Sequence, residues 1–167
     1  MAFDAYEIMT ASFNQMLPGL RNILTKAEAD CATRKIDPTV MLRARLAPDM
    51  FDLTRQIQIT TDQVKGGMAR LAGAESPSWS DDEASFGELI ARVDKSIAFV
   101  GEFNASQYAD AETRKIELKF PNASFEFIGR DYLLGFVLPN FYFHMTTAYD
   151  ILRHNGVPLG KRDFLGG

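Results

Sequence analysis

The imidazole and thiol inventory of this chain is small: two histidines, His144 and His154, and one cysteine, Cys31. His144 lies midway along the most apolar stretch of the sequence. Asn140 stands four residues before it and Thr147 three after, so the three side chains share one face of a helix. A polar strip within an apolar helix must find hydrogen-bond partners or it costs stability. Two readings follow for His144. It bonds a polar side chain on a facing helix, with Asp49, Gln56 and Tyr6 the candidates, or it serves as a metal ligand or as the base of a pocket. The residues alone favour the first. His154 stands where the same helix should end, so it suits the free carbonyls and the negative end of the helix dipole.

Other chemistry-bearing patterns are sparse. The chain has no glycine-rich phosphate loop, no paired-cysteine knuckle and no His-Glu-x-x-His. Asp49 and Asp52, and the run Asp81, Asp82 and Glu83, fit helix N-termini, where negative charge is favourable. The basic residues Arg34, Lys35, Arg43, Arg45 and Arg55 could receive an anion, but pairing with the acidic surface is the simpler expectation.

Apolar spacing predicts the elements that must hold these groups. Tyr6, Met9, Phe13, Met16, Leu17, Leu20, Leu24 and Ala27 form the stripe of a first helix over 3–34, with a kink expected near Pro18. Asp37-Pro38 opens a short helix to about Ala44. Ala47-Pro48-Asp49 is expected to open a second long helix with Met50, Leu53, Ile57, Val64, Met68 and Leu71 inward, loosened near its end by Gly66-Gly67. The loop 73–82 carries Trp79, expected to fold back onto the helices. A third helix should begin at Asp81 or Asp82, with Phe86, Leu89, Ile90, Val93, Ile97, Val100 and Phe103 as its apolar face.

The period then changes to two. Ile116, Leu118 and Phe120 alternate with charged residues, Pro121-Asn122 marks a turn, and Phe125 and Phe127 alternate again, which predicts a β-hairpin. A fourth long helix runs from about Gly129 to Asn155 and stops at Gly156-Val157-Pro158. Its stretch from Gly135 to Tyr149 has no charged residue and is read as a fully enclosed helix, too polar and broken to cross a membrane. The tail holds Lys161, Arg162, Phe164 and Leu165 and could dock on the bundle or on a second subunit.

Composition bounds the function. With 46% hydrophobic and 24% charged residues, the chain has the balance of one ordinary globular domain, taken as residues 1–167. A net charge of −4 argues against a nucleic-acid partner. A single cysteine allows no intrachain disulfide, and no basic, apolar leader opens the sequence, so a soluble cytoplasmic protein without a membrane partner is expected.

Two stretches carry a family resemblance. One runs Leu138-Pro139-Asn140-Phe141-Tyr142-Phe143-His144, Thr146-Thr147-Ala148-Tyr149 and Ile151 through Gly166. The other is Lys35-Ile36-Asp37-Pro38, then Arg45-Leu46-Ala47-Pro48-Asp49-Met50-Phe51 to Gln56. Together they resemble a bacterial domain-of-unknown-function branch of the DinB/YfiT-like metalloenzyme superfamily. The resemblance implies a mainly α fold: a four-helix bundle with a small β-hairpin between helices three and four, commonly a homodimer. Active branches hold a divalent metal on three histidines, one on helix two and a His-x-x-x-His pair on helix four, and some transfer low-molecular-weight thiols.

The resemblance places His144 on the second histidine of that pair and Asn140 on the first. Helix two offers no histidine, and Asp49 or Gln56 lies nearest the third position. The expected pocket is therefore His144, Asn140, Asp49, Gln56, Thr147 and Tyr6. Asparagine is a poor substitute for imidazole at a zinc or nickel site. The missing histidines favour a protein without metal or cofactor that binds a small molecule or partner as a homodimer. A metal-assisted enzyme using His144, Asn140 and Asp49 and a stress-response interaction protein are the alternatives.

Overall fold

The computed structural model describes residues 4–120 and 122–166. Phe3, expected to start the first helix, and Pro121, expected in the hairpin turn, lie outside them. The fold is mainly helical with one small antiparallel hairpin. Helix α1 spans Ala5–Arg34 and is capped by the Asp4 carboxylate, which accepts from the Glu7 amide. It runs on through Pro18. Helix α2, Pro38–Leu42, starts where Asp37 caps the Thr39 amide.

The second long helix, α3, begins at Leu53, later than its sequence suggests. Asp52 is the residue that caps it, accepting from the Arg55 amide. Ala47 to Met50 instead close a turn, with the Met50 amide donating to the Ala47 carbonyl at 3.0 Å. Proline at 48 starts a helix only if the following backbone can stay helical; here the chain first makes that turn. Helix α3 then continues to Leu71 without loosening at Gly66-Gly67. Both glycines leave room for close neighbours, Gly67 for the stiff Val137 and Gly66 for the flexible end of Arg70. A Cβ at Gly67 would sit 2.9 Å from Val137 Cγ1, and one at Gly66 would sit 2.2 Å from Arg70 Nη1.

Helix α4, Phe86–Val100, also starts later than expected, capped by Ser85. Asp81, Asp82 and Glu83 are therefore loop residues, and their role is different from dipole compensation. A 3₁₀ turn at Ala105–Tyr108 leads to β1, Lys115–Phe120, which pairs with β2, Ala123–Ile128, so that Ile116 faces Phe127 and Leu118 faces Phe125. Ile116 and Leu118 are buried, whereas Phe120 and Phe125 are half exposed at the hairpin tip.

The last long helix is continuous from 129 to 154 but changes pitch. Helix α5, Gly129–Tyr132, passes into a π turn, Leu133–Val137, and then into α6, Leu138–His154. Pro139 has no amide hydrogen, and the Asn140 side chain takes the Phe136 carbonyl at 2.7 Å. Both effects disturb the regular i to i−4 ladder here and fit the wider turn. Helix α7, Lys161–Leu165, follows. No described helix is long and apolar enough to cross a membrane.

Helices α1, α3, α4 and α6 pack side by side, α3 against α6 and α4, and α1 against α4. Phe13, Leu17, Leu20, Leu53, Ile57, Met68, Leu89, Val93, Phe141 and Met145 fill the space between them. Contrary to the sequence reading, α6 is not fully enclosed: Phe143 is 56% exposed and Tyr142 37%. The tail docks on its own chain. Lys26 Nζ meets Asp163 at 2.5 Å, Phe164 packs on Tyr149, and a side chain at Gly19 would strike the Phe164 carbonyl oxygen at 2.9 Å.

Candidate functional site

Where α3 and α6 face each other, His144 and Gln56 are joined. The distance from His144 Nδ1 to Gln56 Oε1 is 2.7 Å, and Gln56 Nε2 donates to the Phe51 carbonyl at 3.1 Å. The second bond fixes the amide orientation, so Oε1 is the acceptor and Nδ1 carries the proton. Burial, and then the charge of nearby Arg55, hold the imidazole below its ordinary pKa of 6.5. His144 is thus a neutral Nδ1–H tautomer at neutral pH. Its Nε2 has no hydrogen-bond partner among the described residues. It nevertheless reaches solvent, because Arg114 Nε is the one described side-chain nitrogen or oxygen that is wholly enclosed and unpaired.

The rest of the expected pocket does not assemble around this nitrogen. Asp49 is exposed in the turn before α3. Its displacement follows from the late start of α3, which leaves Asp52, not Asp49, at the helix terminus. Tyr6 lies elsewhere, donating to the Phe103 carbonyl at 3.2 Å with its ring 5.4 Å from that of Tyr108. The Thr147 hydroxyl is turned back onto the Phe143 carbonyl at 2.8 Å. Among the described residues no three His, Cys, Asp or Glu side chains group around a common point. One imidazole nitrogen beside two amides already engaged in hydrogen bonds does not fit the donor set of zinc or nickel, which draws on several imidazoles, thiolates or carboxylates.

Asn140 does face open space. A half-enclosed cleft of about 530 Å³ runs between α3, the π turn and the hairpin. Ile59, Leu118, Phe120 and Phe136 give it apolar walls, and Arg55, Lys65, Arg70 and Asn140 supply polar groups. Sequence spacing pointed to Asn140 but not to this cleft, because its walls come from a hairpin distant in sequence. The Asn140 amide nitrogen is committed to the Phe136 carbonyl, which leaves its oxygen as an acceptor.

A second polar centre escaped the sequence reading. Arg92 on α4 is 4% exposed yet meets three carboxylates: Asp62 at 3.0 Å, Asp81 at 3.0 Å and Glu83 at 2.8 Å. Its Nε donates to Thr61 at 2.7 Å. Burial works against the charge, but the Glu83 bond and the surrounding carboxylates outweigh it and raise the guanidinium pKa. Trp79 lies beside this centre, its ring 4.5 Å from Lys95 Nζ and edge-on to Phe99. This explains the acidic run before α4. The signal was present, because Leu89, Arg92, Val93 and Ser96 lie at core-facing helical spacing and Arg92 is a charge among them.

The basic cluster around α2 is largely paired, as expected. Arg34 meets Asp30 at 2.8 Å, and Arg55 meets Asp81 at 2.6 Å. Cys31 is buried, and its thiol pKa is raised by burial, which makes it a poor nucleophile.

Helical packing and the small hairpin together define a DinB-like helical domain. Residues 5–165 match the model of DUF1993, a domain of unknown function, and the chain belongs to that family. A crystal structure of a DinB family member protein from Shewanella denitrificans superimposes with a TM-score of 0.87 at 39% identity, covering 97% of this chain and 92% of that one. A search of curated proteins finds no match.

Proposed function

We propose that this chain is a cytoplasmic four-helix-bundle protein of the DinB-like class, acting as a homodimer, whose cleft between α3, the π turn and the hairpin binds a small organic molecule without a metal. The observation that carries the reading is the cleft itself. Its volume of about 530 Å³ falls in the range of ligand pockets, and polar groups converge on an apolar wall. The wiring of His144 to Gln56 supports a site without metal, since the Gln56 amide oxygen is spent on holding the imidazole. Exposed Phe51, Tyr142 and Phe143 support a second copy as a partner, because aromatic side chains are enriched in interfaces.

The cleft is tested with an aromatic probe, anilinonaphthalene sulfonate, followed by fluorescence. Saturable binding lost in Ile59→Trp, which fills the cleft wall, is the expected result. Binding that is unchanged in that variant contradicts the reading. Sedimentation at micromolar concentration tests the dimer: a monomer removes that part of the proposal, and a dimer dissociated by Phe143→Asp supports it.

A further inference from the structure

Beyond α3, the chain gathers positive charge that it does not neutralise. An open cavity of about 490 Å³ at the end of α3 is lined by Arg70, Arg114 and Lys115, together with residues of the 73–76 loop. Arg70 Nη1 donates to the Tyr132 hydroxyl at 2.9 Å and has no carboxylate partner among the described residues. Arg114 forms no ion pair among them either, and its Nε is wholly enclosed without an acceptor. Two acids, Glu75 and Glu117, border the same cavity. Glu75 is exposed, and Glu117 is turned to Lys119 at 3.2 Å and to Ser124 at 3.3 Å.

Both guanidinium groups rest on glycines. A Cβ at Gly66 would lie 2.2 Å from Arg70 Nη1, and one at Gly73 would lie 2.3 Å from Arg114 Nη1. Gly66 stands inside a helix, where glycine is disfavoured. Its presence lets the Arg70 head lie flat against α3 and reach Tyr132. Burial holds Tyr132 neutral by raising its pKa, so it orients the Arg70 guanidinium without cancelling its charge.

We propose that Arg70 and Arg114 form a binding site for a compact oxyanion, the phosphate or carboxylate group of a small molecule. Planar guanidinium groups match such oxyanions in charge and geometry, and both of these border the cavity with no carboxylate among the described residues to neutralise them. The site stands on these arginines alone and goes beyond the cleft reading. Arg70 and Ser76 also border the cleft, so one ligand could span both.

The test titrates the labelled full chain with inorganic phosphate, and separately with malonate, at ionic strength held constant with chloride. The Nε–Hε signals of Arg70 and Arg114 are followed by NMR. A saturable shift of both is expected, weakened about tenfold in Arg114→Gln, the value of one charged hydrogen bond, and partly restored in Arg114→Lys. Gly66→Ala keeps every charge but displaces the Arg70 head, and should also weaken binding. A response to phosphate alone assigns a phosphoryl group, and a response to malonate alone assigns a carboxylate. No saturable shift with either, or a shift unaffected by Arg114→Gln, overturns the site. Ile59→Trp should leave the response intact, which separates failure of this site from failure of the cleft.

Discussion

Arg92 and the pair Arg70 and Arg114 are the same residue type placed against the same helix, with opposite outcomes. Arg92 is almost fully enclosed and met by three carboxylates from α3 and the loop before α4. Arg70 and Arg114 are half buried; Arg70 meets one neutral hydroxyl, and neither meets a carboxylate among the described residues. The first arrangement closes on itself and ties the 79–83 loop to the helices. The second leaves two arginines bordering a cavity with their charge unpaired. Burial alone does not separate a structural arginine from a ligand-facing one; the supply of partners does.

The largest effect should come from the closed centre. Arg92→Met leaves Asp62, Asp81 and Glu83 facing one another and should cost about 3 kcal/mol, read from denaturant unfolding. A loss below about 1 kcal/mol would mean that solvent screens the cluster and the contrast fails. Next comes the other satisfied pair. Gln56→Leu strands the His144 donor and should cost about 2 kcal/mol, whereas Gln56→Leu combined with His144→Leu should recover part of that loss. Simple addition of the two single effects would deny the coupling.

Arg114→Gln sits at the other extreme. With no ion pair to lose, it should change stability by no more than about 0.5 kcal/mol. A large loss would reveal a structural role and erase the difference from Arg92. The smallest effect concerns pH. The folded-state pKa of His144 is lowered, so the unfolded chain binds its proton more readily than the native one. Stability should therefore fall as pH drops from about 7 to about 5.5, through the unfolded histidine value. Melting curves of His144→Gln should be flatter over that window; an identical slope would remove His144 as the cause. The carboxylates held low by their hydrogen bonds, Asp37, Glu88 and Asp163, act only at lower pH.

Much of the fold was legible because long helices and a short hairpin declare themselves by period. Errors fell at helix starts, where several acidic residues compete to be the cap: Asp49 against Asp52, and Asp81 against Ser85. The first of these errors also misplaced a site residue. The His144–Gln56 bond was within reach of the sequence, as one of three facing partners, but choosing among them required the register of α3 against α6. The π turn goes with Pro139 and an Asn140 side chain that donates to a backbone carbonyl, a combination that apolar spacing does not reveal. Arg92 is legible in principle, as a charge at core-facing spacing with Leu89, Val93 and Ser96. The Arg70 and Arg114 site was not, because it joins a helix end to the entry of a strand more than forty residues later.

Everything proposed for the α3–α6 face turns on the His144 imidazole, held by Gln56 at 2.7 Å, taking no metal. The most direct test is ¹⁵N NMR of the His144 ring at neutral pH, before and after stoichiometric zinc. The expected result is a neutral ring protonated at Nδ1, with both nitrogen signals unmoved by zinc. A zinc-dependent shift of Nε2, abolished by chelator, would contradict it and return His144 to the role of a metal ligand.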